Sequence, residues 1–345
     1  MDITTLTAAQ ILAISILEPE RLFSREVDDA KLEWRKLSRA WHPDMNPTAD
    51  PAILAHINML YDEALRKVAA GSWRVPGLFS FKTTKGKEFG LRYKKHRSFE
   101  LGDVYIAEKL VAYAVHKDNE DLYREAKRRL TSLAFHDKKM EDEVRRYLPK
   151  ITDEQVTKDH LIMVVEKTPD VFCLADVLNA AGGKLDPKHV AWIVSSMLNI
   201  KCYLKYAGIT HNDISLETVF VSPEHHSAML LGGWWYSRPL KEKLLALPAR
   251  TMNDYDPSGK PKAQHELDMD LIKLTGRELL GDATGSVLLR EKLVPPTMLS
   301  WLRSPGSDHV FDEYKMWYNK ILKESFGARR FIKLELTAKE IYAKQ

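Results

Sequence analysis

The stretch GITHNDISLETVFVSP, residues 208–223, places the carboxylate of Asp213 two positions after His211, between an apolar segment and an alternating one. A carboxylate in such a loop can accept the proton of a hydroxyl group, which is one requirement of phosphoryl transfer. The same chemistry needs oxygen ligands that hold magnesium on the β- and γ-phosphates. Asp213 meets the first requirement, and the rest of the chain has to supply the second.

A second segment with distinctive side chains is DDAKLEWRKLSRAWHPDMNP, residues 28–47, which contains the triplet His42, Pro43 and Asp44. Apolar residues recur in it at helical spacing and basic residues follow another face. A second amphipathic segment, residues 51–71, follows a short loop. The pattern predicts two antiparallel helices joined by a tip that carries the triplet, with Pro43 ending the first helix. The apolar stripe comprises Ala30, Trp34, Leu37 and Trp41, and the basic face comprises Lys31, Arg35 and Arg39.

These two segments, WRKLSRAWHPDMNP followed by INMLYDEA, resemble the J domain of DnaJ-type co-chaperones over about residues 17–70. The resemblance implies docking onto a seventy-kilodalton heat-shock chaperone of the DnaK type. The basic helix would face the ATPase domain of that chaperone, while His42, Pro43 and Asp44 press on its interdomain linker region and speed ATP hydrolysis. The alternative is a helical hairpin in which Asp44 only caps the next turn. The basic residues implied in docking are Lys31, Arg35, Lys36 and Arg39.

The segments around Asp213 predict a long helix, a loop and a strand pair in that order. The helix, LDPKHVAWIVSSMLNIKCYLKYAGI, begins with an Asp-Pro cap, and TVFVSP and AMLLGGWW supply the strands. This order resembles the large lobe of protein kinases, and the resemblance spans about residues 76–330. HELDMDLIKLTGRELLGD then looks like the helix of that family whose aspartate, here Asp270, anchors the loop.

The kinase pattern HRDLKPEN is eroded in this chain, which has Asn212 in place of Arg, Ser215 in place of Lys and Thr218 in place of the metal-binding Asn. The position of the family's DFG triplet reads Leu231, Gly232, Gly233, and no carboxylate occurs between Glu224 and Glu242. The chief magnesium ligand is therefore missing, and we expect no cofactor. Mg-ATP belongs only to an alternative in which the protein is an atypical kinase.

The small lobe of the kinase-like part shows the same erosion. Gly102 and Val104 in GDVYIAEKLVAYAVHKD fit the end of a glycine-rich loop, but two earlier glycine positions hold Arg97 and Phe99. The lysine that pairs with ATP falls at His116, with Lys117 one residue out of phase, or at Lys109, and the choice between them stays open. Glu125 is a candidate ion-pair partner and equally a solvated helix residue.

Composition sets bounds on the class of protein. The 345 residues are 44% hydrophobic and 29% charged with a formal charge of +4, so nucleic acid is permitted as a partner but not demanded. A basic cluster includes Lys85, Lys87, Arg92, Lys94, Lys95 and Arg97, for which we prefer a solvated hairpin to a nucleic-acid patch. Two cysteines, no zinc-ligand spacing and no apolar run long enough for a bilayer favour a cytoplasmic protein.

The sequence thus predicts a multi-domain α+β protein. A J domain occupies residues 1–72, a linker and a mostly β lobe occupy residues 73–168, and a mostly helical lobe occupies residues 169–345. The first hypothesis is a co-chaperone whose kinase-like part is a pseudokinase that binds an unknown protein client or serves as a scaffold. The second is an atypical kinase that uses Asp213. The third is a nucleic-acid or membrane-surface contact through the basic hairpin.

Overall fold

The structure, a computed structural model, describes residues 3–46, 50–70, 73, 77–252, 264–327 and 332–343. It mixes helices and strands, which confirms the predicted α+β class. The chain divides into two compact units that meet in sequence between Lys95 and His96. Most of the predicted linker, residues 71, 72 and 74–76, lies outside the described residues, and the domain borders at 72/73 and 168/169 stay predictions.

The first unit contains helices α1 Ala8–Leu12, α2 Val27–Trp41 and α3 Pro51–Ala69, followed by strands β1 Leu78–Lys82 and β2 Glu88–Arg92. Helix α2 ends where predicted, because Pro43 disfavours helical backbone at His42, which is extended with φ −72° and ψ 133°. Helix α3 begins at an N-cap, in which the Asp50 side chain accepts a hydrogen bond from the Ala52 N–H at 2.9 Å.

Helices α2 and α3 share the core of the first unit. Leu37 from α2 and Ile57 and Leu60 from α3 are fully buried. Trp34 closes the edge of this core, since its indole N–H donates to Asn58 Oδ1 at 2.9 Å and its ring stacks on Tyr61 with centroids 5.2 Å apart. The apolar stripe predicted from helical spacing is therefore the face that packs.

Strands β1 and β2 form an antiparallel hairpin in which Leu78 lies opposite Arg92 and Lys82 lies opposite Glu88. The rings of Phe81 and Phe89 stack across it with centroids 5.4 Å apart. Lys82, Lys85, Lys87 and Arg92 are exposed on this hairpin. Arg97, which the sequence groups with these basic residues, belongs to the second unit and pairs with Asp176.

The second unit begins with a five-stranded antiparallel sheet of order β3-β4-β5-β7-β6. Its strands are β3 Lys95–Phe99, β4 Gly102–Ile106, β5 Leu110–His116, β6 Ile151–Val156 and β7 His160–Glu166, and helices α4 Glu120–Thr131 and α5 Lys138–Val144 lie between β5 and β6 in the chain. Gly102 lets β4 approach β5 closely, because a Cβ at this position would lie 2.0 Å from the carbonyl oxygen of Ala114.

The remainder of the second unit is mostly helical. Helix α7 starts at the predicted Asp-Pro cap, where the Asp186 side chain accepts the Lys188 N–H at 2.8 Å. The helices are α6 Leu174–Ala180, α7 Pro187–Tyr206, α8 Ala249–Met252, α9 His265–Leu279, α10 Ser286–Glu291, α11 Pro296–Arg303, α12 Val310–Met316, α13 Leu322–Phe326 and α14 Ala338–Ala343. The short strands are β8 Phe172–Cys173, β9 Ile209–Thr210, β10 Val219–Ser222, β11 Ser227–Leu230 and β12 Arg238–Pro239.

Two small sheets hold the loop that contains Asp213. Strands β8, β10 and β11 form one antiparallel sheet, and β9 pairs with β12 in the other. The loop lies between β9 and β10, so both of its ends are fixed by strand pairing. Within the described ranges, no helix combines the length and the apolar character that crossing a membrane requires.

Candidate functional site

The tip of the first unit is a compact turn that follows α2. The backbone N–H groups of Met45 and Asn46 both donate to the carbonyl oxygen of His42, at 3.0 and 2.8 Å. The Asp44 N–H donates to Nδ1 of His42 at 3.2 Å. The Asp44 carboxylate remains 86% exposed and the His42 ring 48% exposed. The turn therefore fixes the backbone at Pro43 and leaves a carboxylate and an imidazole directed to solvent.

The basic side chains of α2 lie beside this turn. Lys31, Arg35, Lys36 and Arg39 are all exposed. None of the four forms an ion pair with another residue in the described part of the chain. Lys31, Arg35 and Arg39 follow one another at four-residue intervals, which places them on one helix face. The first unit thus combines a positive helix face and an exposed acidic corner.

Hydrogen bonds fold the Asp213 loop against the segment that follows β11. The His211 ring contacts the carbonyl oxygen of Gly232 through Nε2 at 3.0 Å, and its Nδ1 accepts the Asp213 N–H at 3.3 Å. The Thr218 hydroxyl donates to the Asp213 carbonyl oxygen at 2.6 Å and accepts the Ser215 N–H at 2.9 Å. Thr218, at the position where the kinase pattern has a metal ligand, therefore fastens the loop.

Asp268 on α9 anchors this loop, and the assignment of that role to Asp270 was wrong. The Asp268 carboxylate accepts the backbone N–H groups of His211 at 3.0 Å and Asn212 at 2.7 Å. It also pairs with Lys201 on α7 at 2.5 Å, and both side chains are fully buried. Asp270 is exposed and accepts the N–H of Gly306. Two residues along a helix are about 200° apart, so only one of these aspartates can face the loop.

A cavity of about 440 Å³ lies between the five-stranded sheet and the Asp213 loop. Phe99, Tyr113, Trp235 and Tyr236 line it with aromatic rings. Its charged lining residues are Arg97, Glu100, Asp213, Glu217, Arg250 and Glu278. Burial raises the pKa of Asp213 to about 8, Arg250 opposes this shift, and Glu100 and Glu217 add to it.

The three basic candidates for the ATP-pairing position do not line this cavity. Lys109 lies in the turn before β5, His116 packs on His160 with ring centroids 4.6 Å apart, and Lys117 begins a short 3-10 helix. Tyr113 lines the cavity instead. It lies opposite Val104 of β4, which also faces the cavity. Side chains of a strand alternate between its faces, so period two along LVAYAVH was the signal that could have identified Tyr113.

Glu125 on α4 is an ion-pair partner, and its partners are arginines. Its carboxylate lies 2.9 Å from Arg238 and 2.7 Å from Arg128. Glu100, in the turn between β3 and β4, accepts hydrogen bonds from the Tyr236 hydroxyl at 2.8 Å and the Ala249 N–H at 2.7 Å. The small sheet and α4 are thus held onto the helical part of the second unit by carboxylates that sequence reasoning could not place.

The residues of the cavity do not fit magnesium and a nucleoside triphosphate. Leu231 is buried, and the two glycines after it carry no ligand. A Cβ at Gly232 would lie 3.0 Å from the Tyr113 hydroxyl, and one at Gly233 would lie 2.8 Å from Oδ2 of Asp213. Neighbouring atoms therefore already fill the space that a metal-binding side chain at either glycine would need.

The described residues contain one group of side chains whose spacing suits a metal ion. The group consists of Asp170, Glu224 and His225. Each offers one ligand atom, and these three atoms lie within 4.8 Å of one another. Glu224 and His225 are exposed, and Asp170 already accepts the Ser222 hydroxyl at 2.5 Å. Exposed acidic groups often lie this close together without a metal, so the group carries no metal assignment.

Acid is expected to destabilise the second unit by protonating His265, which contacts Lys201 beside the loop-anchoring Asp268. Nδ1 of this ring contacts Lys201 Nζ at 2.7 Å, and burial together with Lys201 lowers the pKa of His265 to about 4. As pH falls below about 6.5, the unfolded chain takes up a proton that the folded chain refuses, so stability is lost between pH 6.5 and pH 4. We expect His265→Asn, which keeps an acceptor near Lys201, to remove about 2 kcal/mol of the stability difference between pH 7 and pH 5.

Urea unfolding of both proteins at the two pH values measures this difference. Contributions from His211 and Asp213 are present in both proteins and cancel in the comparison. An equal loss of stability in wild type and His265→Asn would contradict the assignment.

Compared with known proteins, the chain matches no family model, and it matches no curated protein.

Proposed function

We propose that this protein is a co-chaperone that stimulates the ATPase of a seventy-kilodalton heat-shock chaperone of the DnaK type. The observation that carries the proposal is the exposed corner of His42, Pro43 and Asp44 at the end of a helix with a positive face. The corner is held by three hydrogen bonds, so little conformational entropy remains to be lost when it contacts a partner. The resemblance of residues 17–70 to J domains supplies the identity of that partner.

The two features of the first unit have separate tasks in this proposal. The positive face of α2 steers the encounter with an acidic surface of the chaperone and raises the rate of association. The Asp44 carboxylate, fixed by the turn, then pairs with a positive or N–H group that is accessible in only one conformation of the chaperone. Binding that prefers one conformation shifts its population, which is how a contact outside the nucleotide site can speed hydrolysis.

The second unit acts in this proposal as a kinase-like pseudokinase that binds a client protein or serves as a scaffold. Support comes from the order of its elements, with a five-stranded sheet followed by helices around an aspartate-bearing loop. The loss of phosphotransferase activity is supported by Thr218 and Leu231, which stand where the kinase pattern has magnesium ligands, and by a cavity that Tyr113 lines in place of a lysine. A client bound here would be delivered to the chaperone that the first unit engages.

The experiment that tests the proposal is stimulation of DnaK-type ATPase by the full chain. We expect Asp44→Asn to reduce hydrolysis to the rate of the chaperone alone, because the amide keeps the size of the side chain and removes its charge. Asp62→Asn is the matched control, since Asp62 is exposed on α3 and has no ion pair within the described ranges. Its stimulation should equal that of the wild type.

Stimulation by Asp44→Asn equal to that of the wild type would reject the co-chaperone proposal. Salt provides a second readout, because stimulation that depends on the cations of α2 should weaken as ionic strength rises.

A phosphotransferase is the second candidate, favoured by Asp213 alone. If the wild type transfers labelled phosphate from Mg-ATP and Asp213→Ala does not, the second unit is a kinase and the pseudokinase assignment is wrong.

A further inference from the structure

The cavity of the second unit has more negative than positive groups. Its lining includes four carboxyl side chains and two guanidinium groups, with no lysine or histidine among the described residues that face it. The acids are Glu100, Asp213, Glu217 and Glu278, and the bases are Arg97 and Arg250. Even with Asp213 protonated, three glutamates face two arginines, so an anion such as a triphosphate would enter a site whose own charges repel it.

Both arginines already have acidic partners. Arg97 pairs with Asp176, behind the cavity wall, and donates to Sγ of Cys173 at 3.1 Å. Arg250 lies 3.3 Å from Glu278. Asp213 and Glu217 form no ion pair with any residue that the structure describes. These two carboxyl groups are therefore the ones left for a ligand.

One wall of the cavity is aromatic. The ring of Trp235 packs against Phe99 and Tyr113, with centroid distances of 6.2 and 5.5 Å. Val104 and Ile106 extend this wall with aliphatic surface. Aromatic rings attract cations through the negative potential of their faces, and they also cover apolar groups of a ligand.

The hydroxyl group of Tyr113 is a second observation that indicates a ligand. It is buried, and it has no hydrogen-bond partner among the described residues. Burial raises the pKa of Tyr113, so the group stays neutral and can donate or accept a hydrogen bond. Buried polar atoms without a partner are rare in folded proteins, and a bound molecule is one way to satisfy this one.

We propose that this cavity binds a small organic cation, an ammonium group attached to an apolar body. The ammonium group would lie against Asp213 with Glu217 nearby, and its positive charge would favour the ionised form of Asp213. The apolar body would lie against Phe99 and Trp235. The volume of about 440 Å³ suits a molecule of this kind. The proposal goes beyond chaperone stimulation and is independent of it, because the site lies wholly in the second unit and its test contains no chaperone.

A charge series of similar shape tests the proposal on the full chain. Benzylammonium, benzyl alcohol and benzoate differ mainly in charge and can be compared by calorimetric titration at one ionic strength. We expect benzylammonium to bind at least about tenfold more tightly than benzyl alcohol, because a charge-assisted contact in a shielded site is worth more than 1 kcal/mol. Benzoate is expected not to bind.

Variants locate the binding and separate it from folding. Asp213→Asn should weaken benzylammonium binding about tenfold, and Glu217→Gln, at an exposed position, should weaken it less while leaving the fold intact. Glu224→Gln in the exposed turn after β10 is the control and should leave the affinity unchanged.

Four outcomes would overturn the proposal. The first is equal affinity for benzylammonium and benzyl alcohol, and the second is tighter binding of benzoate or Mg-ATP than of the cation. The third is the absence of binding for the whole series. Benzylammonium binding that neither Asp213→Asn nor Glu217→Gln weakens would place the ligand elsewhere and reject this cavity as its site.

Discussion

Replacing Asp268 with alanine is expected to destabilise the second unit by about 5 kcal/mol, because the substitution leaves a buried lysine without its carboxylate. Lys201 is fully buried and pairs with Asp268 at 2.5 Å. Burial alone would raise the pKa of Asp268, but the charge of Lys201 and the hydrogen bonds it receives lower it. Burial lowers the pKa of Lys201 and Asp268 opposes this shift, so removing the carboxylate leaves a buried amine without its counter-charge.

The same substitution also removes the acceptor of two backbone N–H groups. His211 and Asn212 both donate to Asp268, and each buried N–H without a partner costs about 1–3 kcal/mol. Relaxation of the loop recovers part of this cost, so the contributions do not simply add. A loss of about 5 kcal/mol is comparable with the whole stability of many domains, and we expect most of the second unit to be unfolded at 37 °C.

Urea unfolding followed by circular dichroism measures the change, with Asp270→Ala as the control. Asp270 is on the same helix, but it is exposed and accepts a single backbone hydrogen bond from Gly306. Its replacement should cost about 1 kcal/mol. Equal effects of the two substitutions would mean that Asp268 does not anchor the loop.

The sequence predicts local features of this protein well, because their causes lie within a few residues. The end of α2 before Pro43 follows from the restriction that proline places on the preceding residue. The start of α7 at Asp186 follows from an N-cap and a proline in the first turn. The packed face of α2 follows from helical spacing, and Leu37 is fully buried as that spacing predicts.

Contacts between distant segments could not be read from the sequence. Asp268 and Asp270 are equally acidic, and only the rotation of α9 against the loop decides which of them faces it. Tyr113 faces the cavity because β5 pairs with β4 in one register, with Val104 opposite Tyr113. Tyr113 is not basic, so the residue type expected for ATP pairing does not identify it, whereas the alternation along the strand does. Arg97 likewise reads as part of a basic cluster until Asp176, far along the chain, pairs with it.

Placing a carboxylate at Gly233, in the segment aligned with the DFG triplet, is expected to destabilise the second unit by about 4 kcal/mol and to create no nucleotide site. Gly233 has φ +76°, a conformation that costs other residues about 1–2 kcal/mol. A Cβ would lie 2.7 Å from Cε1 of His211 and 2.9 Å from the carbonyl oxygen of Asp213. Such contacts force the loop apart, which typically costs about 1–3 kcal/mol. The new carboxylate would also crowd the carboxyl group of Asp213, whose Oδ2 lies 2.8 Å from the position of the added Cβ.

Gly182→Asp separates the backbone effect from the steric one. Gly182 has φ +81°, and no atom lies within 4 Å of the position of its Cβ, so only about 1 kcal/mol of strain is expected. Thermal unfolding ranks the two variants, and a magnesium-dependent shift with ATP tests for nucleotide. If Gly233→Asp were as stable as Gly182→Asp and gained ATP binding, the cavity would be able to hold Mg-ATP, and the pseudokinase assignment would be wrong. Loss of stability without nucleotide binding would indicate that the close contacts around Gly233 leave no room for a metal-binding side chain at this position.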